Sequence, residues 1–314
     1  MPEPDWPSSA EVHAEVRARL LALLNSTGGP VANLGQHALS GKHGILSDAP
    51  HSPVTILPAG TCIAAGCDWH LAIWPAVSAE CMMAAADLFD DAADADASIP
   101  AEPSATPAVL LTVGAGLLSL ATAAVVRVAE DGATVETVAA LARILGEGFA
   151  EAANGQATNL QVGDRQVDAL TAYGQAAAKS GPLGALIARL GARAATDDPE
   201  IVDLLSEFGR RFAVHSQLRN DARDAAPDAS VHKADVRAGA RTVPLAFTAS
   251  EGAPEGLDEA QLAAWERQER QRVATGGGVA AALALAEAER LSAIEALDRL
   301  EGLGCPVRGL RELL

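Results

Sequence analysis

Ala84-Ala85-Ala86-Asp87-Leu88-Phe89-Asp90-Asp91-Ala92-Ala93-Asp94 is the stretch on which the reading of this chain turns. Its composition favours helix, and a helix brings residues three and four apart onto one face. Asp90 or Asp91 therefore lines up with Asp94. Like charges so placed repel unless a cation sits between them. A second run, Gln217-Leu218-Arg219-Asn220-Asp221-Ala222-Arg223-Asp224, repeats the pattern with Gln217, Asp221 and Asp224 in register. Two carboxylate faces on opposing helices make a cage for hard divalent cations. Mg²⁺ keeps several waters and shares its remaining positions with phosphate oxygens. The two runs together point to a diphosphate substrate.

The rest of the chain suits an all-α fold. Of 314 residues, 49% are hydrophobic, enough for a sizeable core, and no stretch alternates for long as a strand would. A net charge of −18 argues against nucleic acid or an anionic membrane surface as partner. It leaves an anionic small substrate open, because bound metal reverses the local field. Cys62, Cys67, Cys81 and Cys305 lack metal-ligand spacing and are expected to be reduced and partly buried. The N-terminus, Met1-Pro2-Glu3-Pro4-Asp5-Trp6, has no signal-peptide pattern, so a cytoplasmic location is expected. The segment 107–126 carries no charge and is long enough to span a bilayer. Its Thr112, Gly114, Gly116, Ser119 and Thr122 favour instead a central bundle helix, buried all round.

Helices are predicted at 9–24, capped by Ser8 or Ser9, and, briefly, at 31–39. Further helices are predicted over 63–91 with an interruption at Pro75, and at 108–128, 135–154, 165–180, 183–194 and 199–224. The last are at 241–249 and over 259–301, with a break at Gly276-Gly277-Gly278. No repeat or linker divides the chain. One domain over 1–314 is expected, a single large helical bundle with a central cavity, with 1–8 and parts of 25–58 poorly ordered.

With both acidic runs in place, the chain resembles the polyprenyl synthetase family, the trans-isoprenyl diphosphate synthases of class I isoprenoid chemistry. Asp90-Asp91-Ala92-Ala93-Asp94 resembles the first aspartate-rich motif, with Glu80 at its upstream acidic position. Gly155-Gln156 resembles the mid-chain GQ, and Tyr173 with Lys179-Ser180 the Tyr…Lys-Thr segment. Gln217 to Asp224 resembles the second motif, with Asn220 in place of its leading Asp. Asp235-Val236-Arg237-Ala238-Gly239-Ala240-Arg241-Thr242-Val243-Pro244 resembles the stretch that follows. Asp91 and Asp221 lie 130 residues apart, close to the family's spacing. There are departures. Ser40-Gly41-Lys42-His43-Gly44 lacks the arginines of the family's Gly-Gly-Lys-Arg segment. No Arg-Arg-Gly follows the first motif, Ala240 stands for the late lysine, and Asn159 stands for the acidic residue after GQ.

The resemblance implies an isoprenoid-synthase fold and a Mg²⁺-dependent enzyme that ionises an allylic prenyl diphosphate. Asp90, Asp91 and Asp221 are its expected catalytic residues. Asp90, Asp91 and Asp94 would hold two ions; Asp221, with Gln217, Asn220 and Asp224 alongside, would hold a third. Lys179, Arg223, Lys233, Arg241 and Lys42 are the candidates for the diphosphate. Ala85, Ala86, Met82, Met83, Phe89 and Gln156 are the candidates for the prenyl-tail pocket. Trp69 and Trp74 are either core or substrate contacts. Because the groups for a second diphosphate are mostly missing, the acceptor is either isopentenyl diphosphate or another nucleophile. Two alternatives remain: a terpene synthase of the same fold acting on one allylic diphosphate, and a non-catalytic partner subunit. A homodimer is expected from the same resemblance.

Overall fold

The computed structural model describes residues 6–41, 44–47, 52–94, 105–162, 167–227 and 235–314, and every regular element among them is helical. These residues group into two compact units. One comprises Met1–Gly146, Leu186–Ser206 and Leu297–Leu314; the other comprises Glu147–Ala185 and Glu207–Ala296.

The first unit opens with α1 (Ser9–Thr27). Its start is fixed by a capping box: the Ser8 hydroxyl accepts from the Glu11 N–H, and the Glu11 carboxylate accepts from the Ser8 N–H. α2 (Gly29–Leu39) and α3 (Pro53–Ala64) follow. A 3-10 turn, Trp69–Ala72, then leads directly into α4 (Ile73–Asp94). Asp68 caps that turn by accepting from the His70 N–H. α5 (Pro107–Val126) packs along α4. The core is aliphatic: Val16, Leu20, Leu57, Ile73, Met82, Leu88 and Leu117 are all but inaccessible to solvent. Each such side chain contributes about 1.5–3 kcal/mol by leaving water. Gly114 lets the two long helices close up, since a Cβ there would sit 2.7 Å from the Phe89 ring. Trp74 is buried, with the guanidinium carbons of Arg19 and Arg127 5.1 and 5.2 Å from its ring centroid. It is a core residue braced by cation–π contacts. Trp69 is half-buried beside the His70 ring, 3.9 Å between centroids.

The second unit holds α6 (Val135–Val162) from Glu147 onward, α7 (Ala169–Ala195) as far as Ala185, and α8 (Pro199–Asp224) from Glu207. It continues with α9 (Asp235–Ala238), α10 (Val243–Phe247), α11 (Glu259–Thr275) and α12 (Gly278–Gly302) as far as Ala296. Ala172, Val214, Leu218, Ala222, Val243, Ala282 and Ala286 form one core cluster; Ala225, Val236, Leu245 and Val273 form another. The chain's last helix, α13 (Arg308–Arg311), returns to the first unit, where it packs on α3.

Four expectations change. The break predicted at Pro75 falls at residues 65–68, because Pro75 sits in the first turn of α4, where a missing N–H costs nothing. Residues 53–58, read as the end of a loop-rich stretch over 25–58, form the first half of α3 because its apolar side chains are buried. The helix over 107–126 is real but is not buried all round. Only 39% of its apolar window is enclosed, and Leu111 and Val126 are 49% and 54% exposed. In addition, the two helices predicted at 165–180 and 183–194 form one, α7, which runs through Pro182.

Candidate active site

The first acidic run lies in the last turns of α4, and its face begins one turn earlier than predicted. Asp87, Asp90, Asp91 and Asp94 follow the i, i+3, i+4, i+7 pattern of one helix face. Asp87 is exposed and Asp90 and Asp91 are half-buried. On the inner side of α4, Met82 and Ala85 are fully buried while Met83, Ala86 and Phe89 are half-buried.

Below this face sits Glu80, 4% exposed. Its Oε1 accepts hydroxyl hydrogen bonds from Ser52 (2.8 Å) and Thr55. Burial pushes the Glu80 carboxyl up to about 7; the Thr55 and Ser52 hydroxyls oppose the rise and the Asp87 charge adds to it. The signal in the sequence was a single carboxylate inside an otherwise apolar helical run.

The second run occupies the last two turns of α8, which ends at Asp224. Asp221 is 5% exposed. The Gln217 side-chain amide donates to Asp221 Oδ1 at 2.7 Å, and the Ser180 hydroxyl donates to Gln217 Oε1 at 3.5 Å. Gln217 thus presents its amide nitrogen, not its carbonyl, to the carboxylate. Asn220 and Arg223 are exposed, and Asp224 is half-buried. Both Asp221 and Asp224 stand at the negative end of the α8 dipole, where anionic side chains are disfavoured and cations are favoured.

The Gly155-Gln156 pair has a plain structural reason. A Cβ on Gly155 would collide with the carbonyl of Ala178, so glycine lets α6 approach α7 next to Lys179. Gln156 and Lys179 are half-buried. Arg241 donates from Nη2 to the Asn159 carbonyl at 3.3 Å. Lys42 and Lys233 lie outside the described residues. Sequence reading missed a network in the second unit: the Tyr173 hydroxyl donates to Glu289 Oε1, and Arg211 pairs with the same carboxylate at 3.3 Å. Glu289 is 4% exposed, and burial with the Glu289 hydrogen bond raises the Tyr173 phenol to about 12. His215 is buried, with Nδ1 2.8 Å from the Ala286 carbonyl, which makes it a core residue. A surface cavity in the first unit, about 500 Å³ and lined by Trp6, Glu11, Glu15, Trp69 and His70, includes none of the predicted metal or diphosphate residues.

Among the described residues, no three His, Cys, Asp or Glu side chains converge as a ready metal site. The donors that are present are carboxylate and amide oxygens, a set that suits Mg²⁺ or Ca²⁺ rather than zinc. A partial oxygen set also fits an ion that takes its remaining ligands from water and phosphate.

No protein-family model matches the chain, and no curated protein matches it. Solved structures do. The polyprenyl synthetase of Streptomyces coelicolor A3(2) is 19% identical, with a TM-score of 0.79 over 97% of this chain and 95% of that one. The geranylgeranyl pyrophosphate synthase of Corynebacterium glutamicum ATCC 13032 is 23% identical, with a TM-score of 0.68 over 97% and 90%. The polyprenyl synthase of Caulobacter crescentus CB15, complexed with calcium and isoprenyl diphosphate, is 20% identical, with a TM-score of 0.66 over 94% and 93%. The chain has the all-α fold of the polyprenyl synthetases, as the motif resemblance implied.

Proposed function

We propose that this protein is a Mg²⁺-dependent prenyltransferase that ionises an allylic prenyl diphosphate and passes the prenyl group to isopentenyl diphosphate or another acceptor. The observation that carries the reading is the occurrence, on a polyprenyl synthetase fold, of two aspartate faces in the last turns of long helices. The solved relatives named as synthases, one of them holding calcium and isoprenyl diphosphate, support it.

In this reading Asp90, Asp91 and Asp94 hold metal on α4, and Asp221, Asp224 and Asn220 hold it on α8. Three ions are bound when substrate is present. Mg²⁺, when bound, supplies Lewis-acid stabilisation of the departing diphosphate. Gln217 positions Asp221 through its amide, which replaces the ligand role expected for it. Lys179, Arg241 and Arg223, with Lys42 and Lys233, offset the diphosphate charge. The allylic C–O bond breaks with both electrons leaving on the diphosphate, the prenyl cation is captured by the acceptor's electron pair, and the cationic adduct then loses a proton to give the product. Met82, Met83, Ala85, Ala86, Phe89 and Gln156 line the prenyl tail, and the apolar members keep water from the cation. Incubation with geranyl, farnesyl or geranylgeranyl diphosphate, each alone and with isopentenyl diphosphate, tests the reading. Transfer gives a longer diphosphate only with acceptor. Hydrocarbon or terpene alcohol released without acceptor contradicts it.

The working form is a homodimer that pairs through α5. That helix has no charged side chain, and its outward hydroxyls are satisfied internally. Thr112, Ser119 and Thr122 donate to the carbonyls of Ala108, Ala115 and Leu118 at 2.8, 2.9 and 3.2 Å. The face that also carries Leu111 and Val126 can be covered without stranding a polar group. Leu111→Asp is expected to halve the mass measured by light scattering. Monomeric wild type that sediments with lipid vesicles assigns the face to a membrane instead.

A further inference from the structure

α11 buries three residues, Glu266, Arg270 and Val273. Arg270 is 2% exposed, and among the described residues none of its three guanidinium nitrogens has a hydrogen-bond partner. The acids nearest in sequence are committed elsewhere. Glu266, one turn back, accepts from Arg237 Nη2 at 3.1 Å and Nε at 3.3 Å. Glu269 accepts from Arg272 Nε at 2.8 Å and from the Ser250 hydroxyl. A guanidinium keeps its proton at any working pH. A buried charge without a hydrogen-bonded counter-ion is among the least favourable arrangements in a protein. Arg270 therefore calls for an anion that the described side chains do not supply.

The surroundings limit what that anion can be. Val273, one turn on, packs with Ala225, Val236 and Leu245, and α11 packs against α9 and α10. The loops beside α9 are drawn close: a Cβ on Gly239 would lie 2.5 Å from the Gly252 nitrogen. Packing this close would exclude an organic tail and favour a compact ion. The guanidinium fork matches two oxygens of a tetrahedral oxyanion.

We propose that Arg270 is the receptor of a small inorganic oxyanion of the phosphate class, through residues other than those of the two acidic runs. Its occupancy ties α11 to the segment Asp235–Ala238 and so to the chain that follows the second acidic run. The proposal does not depend on the prenyltransferase reading, because it rests on the burial and bonding of Arg270 alone.

Thermal unfolding of the full chain without metal, in phosphate, diphosphate or chloride at matched ionic strength, tests it. Wild type is expected to show a saturable rise in Tm with phosphate and none with chloride. Arg270→Met is expected to lose that rise. Arg270→Lys, which keeps the charge but not the fork, is expected to bind phosphate about tenfold more weakly by calorimetry. A stronger response to diphosphate than to phosphate identifies released product as the occupant; the reverse identifies free phosphate. Asp91→Asn/Asp221→Asn is expected to keep the response, so a dead enzyme still reports on this site. An equal response in wild type and Arg270→Met overturns the proposal. So does a wild type whose Tm rises no more with phosphate or diphosphate than with chloride.

Discussion

The acidic faces of α4 and α8 share residue types and spacing, yet they are built differently. On α4, four aspartates share one face by their spacing, and Asp90 and Asp91 remain half-exposed. On α8, Asp221 is 5% exposed and its orientation is fixed by Gln217, while its neighbour Asn220 carries no charge. The first face is rich in charge and loosely solvated; the second has a single desolvated carboxylate whose geometry is set before any ligand arrives. A crowded face suits several cations, because each ion relieves repulsion among its aspartates. A single clamped carboxylate suits one ion held in a fixed place.

The largest effect that separates the two faces is catalytic. Asp221→Asn is expected to lower kcat by about 10²–10³-fold, as the loss of one preorganised charge-stabilising group does. Asp91→Asn is expected to do the same while leaving the neighbouring aspartates to bind some metal. Titration with Mn²⁺, read by electron paramagnetic resonance, sharpens the contrast: Asp221→Asn should remove one site and Asp91→Asn should weaken two. Equal losses in stoichiometry would break the comparison.

Next comes the carboxyl beneath the first face. Between pH 4.5 and about 7 the folded chain holds a proton on Glu80 that the unfolded chain has released. The Glu80 contribution is therefore complete below pH 4.5 and is lost as the pH rises through about 7, a change of about 3 kcal/mol. Denaturant unfolding across this range should show the decline in wild type and a flatter profile in Glu80→Gln. A decline of equal slope in both would place the proton elsewhere.

A smaller effect tests the clamp on the second face. Gln217→Leu leaves the buried Asp221 oxygen without its amide donor and is expected to cost about 1–3 kcal/mol in stability. It should also weaken the Mn²⁺ site that Asp221→Asn removes. An unchanged Mn²⁺ affinity would remove Gln217 from the account.

The smallest effect has the opposite sign. Asp224→Asn removes an anion from the negative end of α8 and is expected to stabilise the metal-free chain by about 0.3–1 kcal/mol. Added Mg²⁺ should narrow the difference.

Much of this contrast was legible in the sequence, and the rest was not, for a physical reason. The α8 boundaries, 199–224, match the prediction because Pro199 opens the helix and apolar spacing persists to Ala222. The aspartate faces followed from helical spacing alone. The loop reading of 53–58 failed because Pro53 and Pro58 lower helix propensity, and burial against the core overrides it. α7 passes through Pro182 for a similar reason, since Ala185, Leu186, Ile187 and Leu190 are buried along it. The direction of the Gln217 amide, the hydroxyls on Glu80 and the Tyr173–Glu289 bond depend on partners set by tertiary packing. Tyr173 and Glu289 are 116 residues apart, a separation that leaves no local pattern.

The most direct test of the central claim is release of inorganic diphosphate from an allylic substrate. Purified protein with Mg²⁺, an acceptor and geranyl, farnesyl or geranylgeranyl diphosphate should release diphosphate with at least one of them. Release should stop on chelation and fall steeply in Asp91→Asn and Asp221→Asn. No release from any of the three, or release unchanged by both substitutions, would contradict the claim that these two faces carry the chemistry.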